Sequence, residues 1–130
     1  NTTYLNLEFP ELIPMLDSSQ KGHPLVPAGG CRDFFLHLKE DKLQDAIFLL
    51  QEPLAEKAEV HKVHDLLEAG FFGHSVSENL RSRIGNLVIL PYYGESVWWY
   101  EKNRFEQNML GHHGGLTRQE MEIPLLALCL

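Results

Sequence analysis

Cysteines and long apolar runs are scarce in this sequence, and their scarcity excludes several classes of protein. The 130 residues include two cysteines, Cys31 and Cys129, whose spacing forms neither a zinc-binding CxxC pair nor a disulfide framework. We expect two free thiols, with one end-to-end bridge as the alternative in an oxidising compartment. No run of 18 apolar residues is present, so no membrane-spanning segment is expected.

Basic residues are also few. Eleven Lys and Arg stand against 18 Asp and Glu, so the formal net charge is −7. Non-specific nucleic-acid binding requires a basic surface, as does a polybasic membrane-surface segment, and neither partner is expected. No leader peptide is visible, and a cytoplasmic location is the working expectation. Because residue 1 is not methionine, we expect the chain to belong to a longer gene product.

Several common catalytic motifs are missing as well. The sequence has no GxxxxGK[ST] phosphate loop, no GxGxxG after a strand, no GxSxG nucleophile elbow and no HExxH pair. Any chemistry must therefore come from a different arrangement of side chains.

The apolar pattern predicts an α+β fold, with a small, mostly antiparallel sheet and helices on one face. Residues 1–32 are predicted to be an irregular lead-in with one short helical turn within residues 9–16, because four prolines and three glycines interrupt regular elements there. Residues 33–100 are predicted to form an α+β subdomain. Its predicted elements are a strand at 34–38, a helix capped by Asp41 with Gln44 in a capping box, a strand at 58–60, a helix at 61–69 ended by Gly70, one turn near Leu80, and a hairpin of strands 86–91 and 96–100 with its turn at 93–95.

The last segment, residues 101–130, is organised differently. A short helix is expected after residue 116, because Thr117 and Glu120 have the spacing of a capping box. Pro124 limits that helix. The apolar run at 125–130 is predicted to be a strand.

Two adjacent histidines, His112 and His113, lie in the predicted loop at residues 111–115 (GHHGG). Imidazole is a common ligand of zinc, and flanking glycines allow the backbone to approach an ion closely. On residue types alone an ordinary surface loop is the favoured interpretation. A second pair, His61 and His64, has i, i+3 spacing on the predicted helix, but no third ligand is placed nearby, so an exposed helix face is favoured.

An aromatic group near the predicted hairpin is a further candidate. Its members are Tyr92, Tyr93, Trp98, Trp99 and Tyr100. Such residues can stack on a nucleotide base, although they more often supply the core of a hairpin. Since consecutive strand residues point to opposite faces, one tryptophan is expected in the core and the other exposed, or covered by the missing portion of the parent protein.

The tract at residues 111–125 resembles the C-terminal signature of the phosphodiesterase and nucleotide pyrophosphatase branch of the alkaline phosphatase superfamily. That signature reads G-x-H-G-G-L-[ST]-x-x-E-M-x-x-P-L. The matching positions are Gly111, His113, Gly114, Gly115, Leu116, Thr117, Glu120, Met121, Pro124 and Leu125. Residues 30–38, 66–73 and 83–90 are similar to segments of such proteins in order and spacing, so the resemblance covers most of residues 28–130.

The resemblance implies that the chain is the C-terminal portion of a metal-dependent phosphodiesterase. Such enzymes bind two divalent metals, typically zinc, and hydrolyse phosphoric esters through a Ser or Thr nucleophile. It further implies that His113 is the last metal ligand, with His112 at a variable position as the lesser candidate. Residues 33–100 would flank the active site, and residues 101–130 would return to the parent core. The implied partners are a phosphoester substrate and the N-terminal catalytic portion of the same polypeptide.

The chain departs from this family pattern by what it omits. It has no Asp-His dipeptide, no Ser or Thr in the family's nucleophile setting, and five aspartates that match no ligand context. Because a two-metal site needs several carboxylates, we expect the isolated chain to be inactive and to hold no metal. The alternative from another class is a stand-alone α+β binding or interaction module without metal. A third reading is a small metalloprotein that uses the four histidines of the two pairs.

Overall fold

A four-stranded antiparallel sheet and a separate two-stranded parallel sheet form the frame of the fold. The computed structural model describes residues 1–106 and 109–128. In chain order the elements are β1 (Thr2–Tyr4), α1 (Leu5–Glu8), a 3₁₀ helix (Pro10–Met15), β2 (Ala28–Gly30), β3 (Asp33–Leu36), a 3₁₀ helix (Glu40–Lys42), α2 (Leu43–Gln51), β4 (Ala58–Lys62), α3 (Val63–Glu68), α4 (Glu78–Arg83), β5 (Leu87–Pro91), β6 (Ser96–Trp98) and α5 (Arg118–Met121). The α+β class is confirmed.

The four-stranded sheet has the order β2-β3-β5-β4. Strands β3 and β5 are central, with Phe35 opposite Val88, and Val60 of β4 lies opposite Ile89. Both central strands are continuously apolar, which is typical of strands that are covered on both faces. The sheet therefore needs packing partners on each side.

Helices cover both faces of this sheet, whereas the sequence predicted helices on one face. The main core joins one face to α2 and to the N-terminal segment, and it contains Leu5, Leu12, Leu16, Phe34, Leu36, Leu38, Ala46, Ile47, Leu50, Leu54, Ala58, Leu87, Ile89 and Val97. The second core joins the other face to α3 and α4, and it contains Phe35, Val63, Leu66, Ile84 and Val88. Neighbouring residues in a strand point to opposite faces, so the FF and VI pairs supply both cores at once.

The N-terminal segment packs into the main core. The helical turn predicted within residues 9–16 is present as the first 3₁₀ helix, whereas β1 and α1 were not expected in the irregular lead-in. Leu5 and Leu12 are fully buried there. Pro10 does not interrupt the fold because it begins the first 3₁₀ helix, where a proline lacks no needed hydrogen bond. After that helix, the chain makes isolated bridges from Leu16 to Leu38 and from Ser18 to Pro24.

The predicted hairpin of β5 and β6 does not form. Its turn is present, since the backbone N–H of Glu95 donates to the carbonyl of Tyr92 at 3.0 Å. Strand β6 instead pairs in parallel with β1, with Thr3 opposite Val97. Strand β1 thus takes the place beside β6 that β5 was predicted to occupy. Because the paired residues are about 94 positions apart, no local sequence feature indicates this pairing.

Two predicted helix starts are also wrong. Helix α2 begins at Leu43 after a 3₁₀ turn, and no side chain caps either element, so Asp41 and Gln44 form no capping box. Helix α3 begins at Val63, which places His61 in strand β4 rather than on a helix. The predicted stop at Gly70 is confirmed, because Gly70 follows α3 with a φ of 80°.

A full helix occupies the segment that was predicted to contain one turn near Leu80. Helix α4 is capped by Ser77, whose Oγ accepts from the backbone N–H of Leu80 at 3.2 Å. Among the residues that the structure describes, no helix is both long and apolar enough to span a lipid bilayer.

Trp98 at the end of β6 and Trp99 directly after it are both half-buried against the main core, so the prediction of one core and one exposed tryptophan is wrong. The Trp98 ring contacts Phe34 edge-on, with 5.8 Å between centroids. Its Nε1 donates to the carbonyl of Phe105 at 2.8 Å. Trp99, the first residue after β6, also packs against the main core.

The C-terminal segment contains the expected short helix α5, but not the expected strand. Residues 125–128 have no regular structure, and Leu125, Leu126 and Leu128 are 77–93% exposed. Cys31 is a buried free thiol. The predictions for Cys129 and for the end of the strand fall outside the described residues.

Candidate functional site

The GHHGG loop, residues 111–115, lies at the edge of a cleft of about 480 Å³. The other wall is the turn between β2 and β3, residues 29–33, together with Trp98. His112 and His113 are both exposed, and neither ring makes a hydrogen bond to the described part of the chain. Their nitrogens are therefore free to bind an ion or a ligand.

An ion pair between Arg32 and Glu120 connects this loop to the sheet. Arg32 Nε donates to Glu120 Oε1 at 3.2 Å, and Nη2 donates to Oε2 at 2.6 Å. The two side chains are 7% and 15% exposed. A two-point contact between a guanidinium and a carboxylate fixes distance and orientation together.

Arg32 is itself held by the backbone. Its Nη1 donates to the carbonyl of Tyr92 at 2.7 Å and also to the carbonyl of Glu95. Burying a guanidinium is unfavourable unless its donors are satisfied, and here the carboxylate and two carbonyls share that task. The guanidinium that binds the Glu120 carboxylate is therefore fixed to the turn after β5 by hydrogen bonds, and to the turn between β2 and β3 by the chain itself.

Glu120 accepts hydrogen bonds from two side chains. Besides Arg32, the hydroxyl of Thr117 donates to Oε2 at 2.6 Å, and the backbone of Gly115 lies close to the carboxylate. The Arg32 hydrogen bonds, followed by that of Thr117, hold the pKa of Glu120 at about 2, against an ordinary value of 4.5. Glu120 is ionised at neutral pH, and its charge is fully used inside the fold.

The predicted capping box at Thr117 and Glu120 is replaced by this cluster. Helix α5 does begin at Arg118, but the Thr117 side chain caps no backbone N–H. It donates to Glu120 instead, because the carboxylate has turned toward Arg32 rather than back to the start of the helix. The spacing predicted the helix correctly and the role of its two polar residues wrongly.

Gly115 lies directly against the ion pair. A Cβ atom at this position would be 3.0 Å from Arg32 Nη2 and 3.2 Å from Glu120 Oε2. Gly115 is buried, in contrast to the four loop residues before it. A glycine here allows the backbone to lie this close to both charges.

The cleft offers one carboxylate beside the two histidines, that of Asp33. Its Oδ1 accepts from the backbone N–H of Gly30 at 3.0 Å. Within residues 1–106 and 109–128, no three His, Cys, Asp or Glu side chains come together as a metal site. The described residues thus form no complete site for a divalent metal, and such a site would need further ligands from elsewhere.

The second histidine pair is not a shared metal site. His61 projects from β4 and its Nε2 lies 2.8 Å from Glu59 Oε2. His64 is on α3, with Nδ1 3.7 Å from carboxylates of Asp65 and Glu68. The i, i+3 geometry that the sequence predicted does not exist, because the helix begins after His61.

The aromatic candidates separate into different surroundings. Tyr92 and Tyr93 line a cleft of about 670 Å³ together with Phe71, Leu116 and Arg118, among others. Tyr93 is 69% exposed. Tyr100 instead contacts Tyr4 edge-on, 5.8 Å between centroids, and its role is to pack β6 against the N-terminal segment.

Comparison with known proteins adds no relative: no family model, curated protein or solved structure matched the chain. Sequence reasoning named Arg32 and Glu120 only as parts of motifs and missed their contact. The sequence did offer one indication of this contact. Arg32 lies between Cys31 and the apolar run that begins at Phe34, so it was a candidate for burial, and a buried charge needs a partner.

Proposed function

We propose that this chain supplies one metal-ligand loop and an accessory α+β subdomain to a metal-dependent phosphodiesterase or nucleotide pyrophosphatase. In this proposal, His113 is one ligand of a divalent metal, typically zinc, because imidazole is a common zinc ligand. His112 is the second candidate for that ligand. The two metals of the parent enzyme would polarise the phosphoryl oxygens and activate a nucleophile. The isolated chain is expected to be inactive.

The observation that carries this proposal is the way residues 111–120 are built. The tract with the family-like spacing presents an exposed imidazole at His113, and its glutamate is fixed to the sheet by Arg32. The ion pair gives this loop a fixed position on the sheet, as a metal-ligand loop requires. The cleft beside the loop also leaves room for other ligands and for a phosphoester.

Hydrolysis of bis-p-nitrophenyl phosphate by the full-length gene product that contains this chain tests the proposal. With zinc or manganese present, His113→Ala should lower kcat/KM by about 100-fold, the scale on which loss of a metal-binding contact acts. His112→Ala is the matched control and should change it by less than about 3-fold. Equal activity of the two variants, or turnover by the 130-residue chain that follows its own concentration through chromatography, would contradict the proposal.

A second candidate is a binding module without metal, and the larger cleft favours it. A cleft of about 670 Å³ lined by Phe71, Tyr92 and Tyr93 has the size and apolar character of small-molecule sites. Adenosine is a suitable aromatic probe for calorimetric titration. Tyr93→Ala should then weaken binding at least about ten-fold, while Phe48→Ala, at an 84% exposed position on α2, should not. Binding that is unaffected by chelator and by His113→Ala would favour this module over the enzyme part.

A further inference from the structure

We propose that Arg32 and Glu120 are positioning residues that fix the GHHGG loop, and thereby His113, relative to the four-stranded sheet. The inference rests on the proposed function only where it concerns the metal. Its structural part concerns how the loop is held in place.

The C-terminal segment, residues 109–128, is joined to the rest of the described fold by very few hydrogen bonds. Within the described residues, every hydrogen bond that joins 109–128 to 1–106 runs between Arg32 and Glu120. The remaining hydrogen bonds of this segment are internal, as in the pair of Arg118 with Glu122. The ion pair is therefore the point at which the loop takes its position from the rest of the fold.

The connection from this pair to His113 is short. Gly115 is packed against both members of the pair, since a Cβ atom there would lie 3.0 Å from Arg32 Nη2 and 3.2 Å from Glu120 Oε2. His113 lies two residues earlier in the chain. Fixing Gly115 thus limits where the His113 ring can go, without any contact to the ring itself.

Apolar packing alone would hold the loop less definitely. Leu116 shares a small cleft with Leu66, Phe71 and Leu90, but it remains 47% exposed. Apolar contacts are non-directional, whereas the planar fork of Arg32 accepts a carboxylate in one orientation. Because metal ligands must be held to within about 0.5 Å, the directional contact is the one suited to this task.

The first arm of the test measures loop order by ¹⁵N relaxation in the 130-residue chain. In the wild type, the amides of Gly114, Gly115 and Leu116 should have order parameters close to those of the sheet, about 0.85. In Glu120→Gln they should fall below about 0.6, while the amides of β3 and β5 are unchanged. Glu122→Gln removes a charge from an exposed pair close by and is the matched control, with no expected change.

The second arm measures zinc affinity in the full-length protein by competition with a chelator. Glu120→Gln should raise the Kd for zinc about 10- to 100-fold and lower kcat at limiting zinc, with KM for the ester unchanged and with recovery in excess zinc. Arg32→Lys keeps the charge but loses the two-point contact, so its Kd should lie between those of the wild type and Glu120→Gln. Thr117→Val, which removes one donor to the carboxylate, gives a milder change in the same direction and serves if Arg32→Lys does not fold.

The two arms separate failure of this inference from failure of the proposed function. Unchanged loop order in Glu120→Gln overturns the positioning role, whatever the enzyme does. A mobilised loop in Glu120→Gln supports that role even if the wild-type protein binds no zinc, a result that would overturn the proposed function and the metal part of this inference. Reduced order in Glu122→Gln of equal size would also overturn it, because the effect would then not belong to the ion pair.

Discussion

The guanidinium of Arg32 and the carboxylate of Glu120, 88 positions apart in the sequence, form two hydrogen bonds of 3.2 and 2.6 Å. Arg32 lies in the turn between two strands, and Glu120 lies in the helix after the histidine loop. This contact joins the turn between β2 and β3 to the segment that carries the histidine loop. Four further predictions follow from it and from the packing around it.

Acid should weaken the contribution of Glu120 to stability. Its pKa is lowered to about 2 from 4.5, so the carboxylate stabilises the fold fully above the unfolded value, and this contribution is lost as pH falls through the folded value. At pH 7, Glu120→Gln should reduce the free energy of unfolding by about 2 kcal/mol. In urea titrations the difference from wild type should shrink between about pH 4.5 and pH 2. A difference that stays constant across this window would show that the charge is not responsible.

The N-terminal segment should be as important for stability as the sheet. Leu12 is fully buried in the main core, and replacing it by alanine removes apolar contacts and leaves a cavity. We expect Leu12→Ala to lower the free energy of unfolding by about 2–5 kcal/mol in urea. Leu7→Ala is the matched control, since Leu7 is 59% exposed, and it should cost less than about 0.5 kcal/mol. Similar small effects at both positions would mean that the segment is not part of the core.

Gly85 should not tolerate a side chain. It precedes β5 with a φ of 65°, and an added Cβ would lie 2.2 Å from the carbonyl oxygen of Leu36. Gly85→Ala should therefore lower the thermal midpoint far more than Gly94→Ala, which has a φ of 82° but open space around it. The expected costs are about 3 kcal/mol or more at Gly85, where strain and overpacking add, and about 1 kcal/mol at Gly94. Equal midpoints of the two variants would disprove the clash.

The apolar C-terminal tail should bind hydrophobic dye without stabilising the fold. Leu125, Leu126 and Leu128 are highly exposed, and exposed apolar patches promote association. Replacing all three by serine should reduce fluorescence of a bound naphthalene sulfonate dye. The urea midpoint should stay within the range of about 0.5 kcal/mol that is typical of surface changes. A large loss of stability would show that the tail packs on the domain in solution.

Local sequence features predicted elements whose cause is local. The strands at 34–38, 58–60 and 86–91, the stop at Gly70, the turn before β6 and the short helix after Thr117 are all present, with shifted ends. Each depends on residues within a few positions, either through apolar runs or through a backbone conformation that glycine permits. The α+β class follows from the order of these elements.

Pairing partners were predicted poorly because they are distant in the chain. Strand β6 could pair with β5 or with β1, and the pattern of Ser96, Val97 and Trp98 suits either. The start of α3 failed for a related reason, since His61 and Lys62 extend β4 by pairing with β5. Tertiary pairing overrides a weak local preference in both cases.

The sequence by itself determined where most strands and helices lie, and it marked His113 within a glycine-rich loop. Only the tertiary structure decided that residues 2–16 belong to the core, that helices cover both faces of the sheet, and that Glu120 contacts Arg32 rather than capping its own helix. The physical reason is that a buried charge needs an opposite charge or a hydrogen-bond partner, and an unpaired strand needs a neighbouring strand, wherever in the chain these come from. That partner is chosen by the complete fold, whereas local spacing records only near neighbours.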